Sequence, residues 1–139
     1  MRYLLDTNVI SELVARRPEP AVLIWIEALD HSTVFLSVIT IGEIQRGIEK
    51  LPESARKSRL QTWLTDDLLI RFSDRILPID VGVMLAWGSM VSRLNRKGRT
   101  LSAMDSLIAA QAIHYRCNLA TRNEDDFRET GVIVINPWT

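Results

Sequence analysis

A chain of 139 residues is long enough for one domain with its own hydrophobic core, and 47% hydrophobic against 24% charged residues is the ordinary balance of a globular protein. Lys plus Arg equals Asp plus Glu at 17 each, so no global charge field advertises nucleic acid, and any attraction for phosphate must be local. The single cysteine, Cys117, excludes an internal disulfide, no apolar run reaches the length of a membrane span, and no secretory leader is recognisable, so the expected setting is a reducing cytoplasm without membrane attachment.

The chain opens on Tyr3-Leu4-Leu5, a short apolar run that stops at an acid, Asp6. Thr7 and Asn8 follow, both able to cap the apolar-periodic helix that begins with Val9 and Ile10. This puts Asp6 at the carboxyl end of a strand, the edge of an open α/β sheet where ligands bind, although ordinary turn chemistry also accounts for an acid there. After the break Arg16-Arg17-Pro18-Glu19-Pro20, residues 21–26 open a second helix with Pro20 in its first turn. Thr33-Val34-Phe35-Leu36-Ser37, β-branched and aromatic, predicts the second strand. Ser37 or Thr40 caps the next helix, which carries Ile41, Ile44 and Ile48 at helical spacing and Glu43 in its early turns.

Residues 52–72 are charged and helix-prone, with Leu60, Trp63, Leu64, Leu68 and Leu69 as the apolar stripe of one or two helices. Residues 76–79 form a short strand whose Pro78 predicts an irregular or edge position, and Asp80 caps a helix from Val81 to about Asn95. The basic run Arg93, Arg96, Lys97 and Arg99 surrounds Gly98, which stops that helix; it reads equally as a cationic helix end and as a phosphate-steering patch. Ser102 and Asp105 have the spacing of a capping box, on which account Asp105 only reaches back to a backbone N–H. Residues 106–113 are small and apolar almost all round, which predicts a helix buried against the sheet. Asn118-Leu119-Ala120-Thr121 makes a fourth strand, the acidic turn Asn123-Glu124-Asp125-Asp126 follows, and residues 132–135 close the chain as a final strand.

The alternation predicts a single α/β domain over residues 1–139, with a mainly parallel sheet of about four to five strands flanked by helices. Asp6, Glu43, Asp105 and the 123–126 turn then share one rim. Carboxylates gathered there without matching Lys or Arg repel one another, and a divalent cation removes that penalty. Mg²⁺ takes oxygen ligands, keeps several waters and completes its shell with substrate phosphate. His31 and His114 are isolated and give no zinc spacing, and neither a phosphate-binding P-loop nor a nucleophile elbow is present.

Residues Leu4–Glu12, Ile39–Gly47, Met104–Ala110 and Ala120–Phe127, in that order, resemble the successive motifs of PIN-domain ribonucleases, and the ending Ile135-Asn136-Pro137-Trp138 is similar to the branch containing VapC and FitB toxins. The resemblance implies a Mg²⁺- or Mn²⁺-dependent endoribonuclease acting on structured RNA such as tRNA. It also implies a toxin neutralised by a cognate antitoxin, a homodimer, and a larger assembly held on DNA through the antitoxin. Asp6, Glu43 and Asp105 match the family's dependable acids, with Asp6 and Asp105 as metal ligands. Asn123 stands where many members have an acid, and Asp126 supplies the later one. Thr7, Thr121, Arg122 and Asn123 are supporting or substrate-contacting candidates. In this scheme Asp6 and Asp105 hold the cation directly or through its waters, while Glu43 and the 123–126 turn orient those waters for in-line hydrolysis. Two other readings stay open: a catalytically weak PIN-fold module that binds RNA or protein, and a phosphatase using Asp6 as nucleophile, for which Asn8 stands where a second acid belongs.

Overall fold

The structure, a computed structural model, describes residues 1–139. Its strands are β1 (Tyr3–Leu5), β2 (Val34–Ser37), β3 (Ile76–Leu77), β4 (Asn118–Ala120) and β5 (Val134–Ile135). They form one sheet in the order β3-β2-β1-β4-β5, and every neighbouring pair is parallel. The helices are α1 (Thr7–Ile10), α2 (Pro20–Glu27), α3 (Val38–Glu49), α4 (Ala55–Thr62), α5 (Leu69–Arg71), α6 (Val81–Arg96) and α7 (Ala103–His114). Alternation of side chains along a strand sends Leu5 to one face of the sheet and Leu4 to the other, and two cores follow from it. Leu5, Val9, Ile10, Val22, Ile44, Ile48, Leu64 and Leu68 fill the first. Leu4, Met90, Leu94, Ile108, Ala109, Ala112 and Leu119 fill the second.

The strand order reverses beside β1: the chain steps outward through β2 and β3, then returns to β4 on the other side. That switch point is where an α/β sheet opens a crevice at its strand ends. Asp6 leaves β1 and Thr121 leaves β4 at this point, their backbones continuing the ladder through Asp6 N–H to Ala120 O at 2.9 Å and Thr121 N–H to Ile135 O at 3.0 Å.

Several local expectations are refined. Asp6 itself, and neither Thr7 nor Asn8, caps α1 by accepting from the Thr7 N–H; the two following side chains are drawn to partners across the rim instead. Residues 55–71 run as one helical arm, but Trp63–Leu68 relax into a π-turn. This keeps Leu64 and Leu68 in the core while Thr65, Asp66 and Asp67 stay in water. β3 ends at Leu77 on the sheet edge, because Pro78 has no N–H to continue a ladder. β5 is likewise only two residues long, with Ile133 left 66% exposed. Ser37 and Asp80 cap α3 and α6 as expected, and Gly98, at φ 72°, ends α6 in the left-handed region. His31 and His114 are exposed. No helix is long and apolar enough to cross a membrane.

Candidate active site

Asp6 is the buried centre of the rim, with 5% of its surface exposed. One carboxylate oxygen accepts the Thr7 N–H at 2.8 Å, and the other accepts the Thr121 hydroxyl at 2.8 Å and a longer contact from the Asn8 amide at 3.4 Å. Asn8 also donates to the Thr121 hydroxyl at 3.3 Å, and its carbonyl oxygen accepts the Arg122 N–H at 3.3 Å. The Thr121 hydroxyl in turn accepts the Asn123 N–H at 3.1 Å. Asn8 therefore ties the first and last motifs together across 113 residues of chain. Its sequence neighbours pointed only to a helix cap, and nothing local marks this longer reach.

Glu43, exposed on α3, accepts the Thr7 hydroxyl at 2.5 Å, and Thr7 lies 3.1 Å from the hydroxyl of buried Thr40. Thr7 thus links the start of α1 to α3, while the cap of α1 is Asp6. Asp105 sits in the first turn of α7, where its N–H donates to the Ser102 hydroxyl at 3.2 Å. The capping box is formed from that side alone, leaving the Asp105 carboxylate turned to the rim. Asp105 and Asp126 line one cavity of about 310 Å³ together with Ser102 and Arg99. Asn123 precedes the 3-10 turn Glu124–Phe127 without capping it through its side chain, and Asp126 within that turn is exposed. The Arg122 guanidinium lies 5.3 Å from the centre of the Trp138 ring, which stations a cation beside the acids.

The acids act on one another. Burial first, then the charges of Asp105 and Glu43, push the Asp6 carboxyl above its ordinary value of 3.8, against the lowering effect of its Thr121 and Thr7 hydrogen bonds. Burial also raises Asp105, opposed by the Ser102 hydroxyl and reinforced by Asp126 and Glu43. None of the five ion pairs of the fold involves Asp6, Glu43, Asp105 or Asp126. The structure thus brings all four predicted acids onto one rim, none of them in an ion pair. Its donor set is entirely oxygen, the chemistry preferred by Mg²⁺ and Mn²⁺. No three acidic, histidine or cysteine side chains close into a complete ligand cluster. A cation held here would therefore rest on one or two carboxylates, with water and phosphate in its remaining positions.

The basic run divides its tasks. Arg93 donates to the Thr130 carbonyl at 2.7 Å, and Arg99 donates to the Asp125 carbonyl and faces Glu129 at 3.8 Å. These two clamp the 125–130 segment to α6 and so place Asp126. Beside Thr7 and Glu43, on the opposite flank, a groove of about 380 Å³ is lined by Val14, Ile44, Leu51, Leu60 and Trp63, with Arg56 at its edge.

The family profile described as PIN domain matches residues 3–133. The chain is 35% identical to the VapC ribonuclease Y4jK of Sinorhizobium fredii, covering 96% of each protein. It is 36% identical to the toxin FitB of Neisseria gonorrhoeae, covering 97% of each. Among solved structures, FitAB bound to a DNA fragment superposes with a TM-score of 0.94 at 35% identity, over 99% of this chain and 96% of that one. With the five-stranded parallel sheet and the acids at its switch point, these likenesses establish that the chain belongs to the PIN-domain family, in the branch that holds the VapC and FitB toxins.

Proposed function

We propose that this chain is a divalent-cation-dependent endoribonuclease and the toxin half of a toxin–antitoxin pair, hydrolysing phosphodiester bonds of structured RNA such as tRNA. The observation that carries the reading is the group of Asp6, Glu43, Asp105 and Asp126, none in an ion pair, at the sheet's switch point, in a fold whose relatives are named ribonucleases and toxins. Asp6 and Asp105 are the residues that would hold Mg²⁺ or Mn²⁺. When bound, the cation supplies charge neutralisation at the scissile phosphate and activation of a water.

The remaining work falls to the chain itself. The Thr7 N–H on one oxygen, and Thr121 with the longer Asn8 contact on the other, fix the Asp6 carboxylate, and the oxygen bonded to Thr7 keeps a lone pair free for a cation or its water. Glu43, anchored by Thr7, and Asp126, beside Asp105, orient waters around the reacting phosphate. Arg122, held by Asn8 through its N–H, presents a guanidinium for a neighbouring phosphate of the substrate.

The antitoxin is proposed to cover the apolar groove flanking Thr7 and Glu43, an apolar segment filling the groove and a basic side chain meeting the carboxylates. The deciding experiment is cleavage of a total tRNA pool by antitoxin-free protein with Mg²⁺ or Mn²⁺ against EDTA, using Asp6→Asn as the contamination control. Discrete, cation-dependent products absent from the variant support the nuclease. Folded protein that binds RNA and leaves it whole under every condition replaces the nuclease with the binding-module reading.

A further inference from the structure

We propose that Gln111 is a positioning residue for this site: its buried amide locks the helix bearing Asp105 to the strand end from which the Glu43 helix starts, and so sets the spacing of the two carboxylates. The inference rests on the reading of the rim as a cation-dependent nuclease site.

Gln111 and Ser37 both have no exposed surface. The Ser37 hydroxyl donates to Gln111 Oε1 at 2.5 Å and accepts the Ile39 N–H at 3.0 Å. Gln111 Nε2 donates one hydrogen to the Leu77 carbonyl at 3.0 Å and the other to the Pro78 carbonyl at 2.9 Å. Each polar atom of the two side chains therefore has a partner. Turning the amide over would set its oxygen against two carbonyl oxygens, so one orientation is enforced. Taking an amide fully out of water carries a desolvation cost that an apolar residue of similar size avoids. Packing alone therefore gives no reason for a glutamine here. What it adds is direction, joining the ends of β2 and β3 to the middle of α7.

Both arms of this joint lead to an acid. Ser37 caps α3, and six residues on, about 9 Å along a helix, comes Glu43. Asp105 stands six residues before Gln111 on α7. Glu43 is among the charges that raise the Asp105 carboxyl, after burial and Asp126, so the two acids lie within electrostatic reach of each other. The Ser37–Gln111 bond joins the two helices that carry them. Gln111 does not touch the rim, and its influence is on placement alone.

The test compares wild-type protein with Gln111→Met, which preserves bulk, and Ser37→Ala, which removes one hydroxyl. Mn²⁺ affinity is measured by calorimetry, kcat and KM by RNA cleavage, and folding by thermal melting. Each variant is expected to fold, to bind Mn²⁺ more weakly than wild type, and to lose kcat with little change in KM. The double variant should lose less than the two single losses combined, because both break the Ser37–Gln111 bond, while Ser37→Ala alone loses the Ile39 cap and Gln111→Met alone loses the Leu77 and Pro78 carbonyls. A folded variant that binds Mn²⁺ as tightly as wild type overturns the inference while leaving the nuclease reading intact. If Gln111→Met fails to fold, Ser37→Ala alone decides it. Wild-type protein that neither binds Mn²⁺ nor cleaves RNA defeats the nuclease reading itself and the inference with it.

Discussion

At the scale of single residues, Asp6 carries two opposing demands. Burial and the neighbouring acids favour its neutral form, while its two strongest hydrogen bonds favour the carboxylate, and the net result is a raised pKa. The folded protein therefore binds protons that the unfolded chain releases, between the ordinary value of 3.8 and the raised one. Stability contributed by this group is lost as pH rises through that window and stays lost at neutral pH. Asp6→Asn should accordingly raise the melting temperature of cation-free protein at pH 7, with the gain shrinking as pH falls toward 3.8; calorimetric scans across that range check the sign. The same variant should lose RNA cleavage by more than the roughly 10- to 100-fold typical of an outer partner, because it removes a ligand charge itself. Asp105→Asn is expected to behave alike, since its carboxyl is raised by the same kinds of cause. Mn²⁺ affinity should weaken on acidification through the raised values, because a ligand carboxylate must be ionised.

Elements place these residues more precisely than sequence spacing alone allows. The caps of α3 and α6 were legible because a Ser or Asp before an apolar run has a single local reason to be there. Ser102 is such a cap with a second effect, since its hydroxyl also steadies the Asp105 carboxylate. Ser102→Ala should cost about 1 kcal/mol of stability by thermal or chemical unfolding. It should also push the Asp105 carboxyl further up, moving the acid limb of the cleavage profile to higher pH. The edge position of β3 followed from Pro78, and the burial of α7 from its small residues. Gln111 sat unremarked in that apolar helix, because the partners that give it meaning, Ser37 and the end of β3, lie 74 and 34 positions away. The π-turn at Trp63–Leu68 had no signature beyond an apolar stripe that changes phase.

For the whole molecule, the acidic rim stands between an apolar groove and a cationic flank, and charge alone averages these to neutrality. The four tryptophans, Trp25, Trp63, Trp87 and Trp138, are half-buried and form no fully exposed aromatic surface. The solvent side of α6 instead exposes Val81, Met84 and Leu85, which share one face at helical spacing. The proposed homodimer is checked there: Leu85→Glu should leave the monomer folded and shift sedimentation from dimer to monomer. Saturating Mg²⁺ or Mn²⁺ should raise the melting temperature of wild-type protein, since binding to the folded state alone stabilises it, and EDTA should reverse the shift.

The sequence by itself determined the alternating α/β pattern, the strand ends that carry Asp6 and Thr121, the helices that carry Glu43 and Asp105, and the four motifs that resemble the family. These are local quantities, written in periodicity, caps and turn residues within a few positions of each other. Tertiary structure alone decided that Asn8 binds Thr121 and the Arg122 backbone, that Thr7 holds Glu43, that Arg93 and Arg99 clamp the C-terminal segment, and that Gln111 joins three elements. Each of those contacts spans at least 26 residues of chain, and a side chain's local neighbours do not encode which distant hydrogen-bonding group the sheet order will set opposite it.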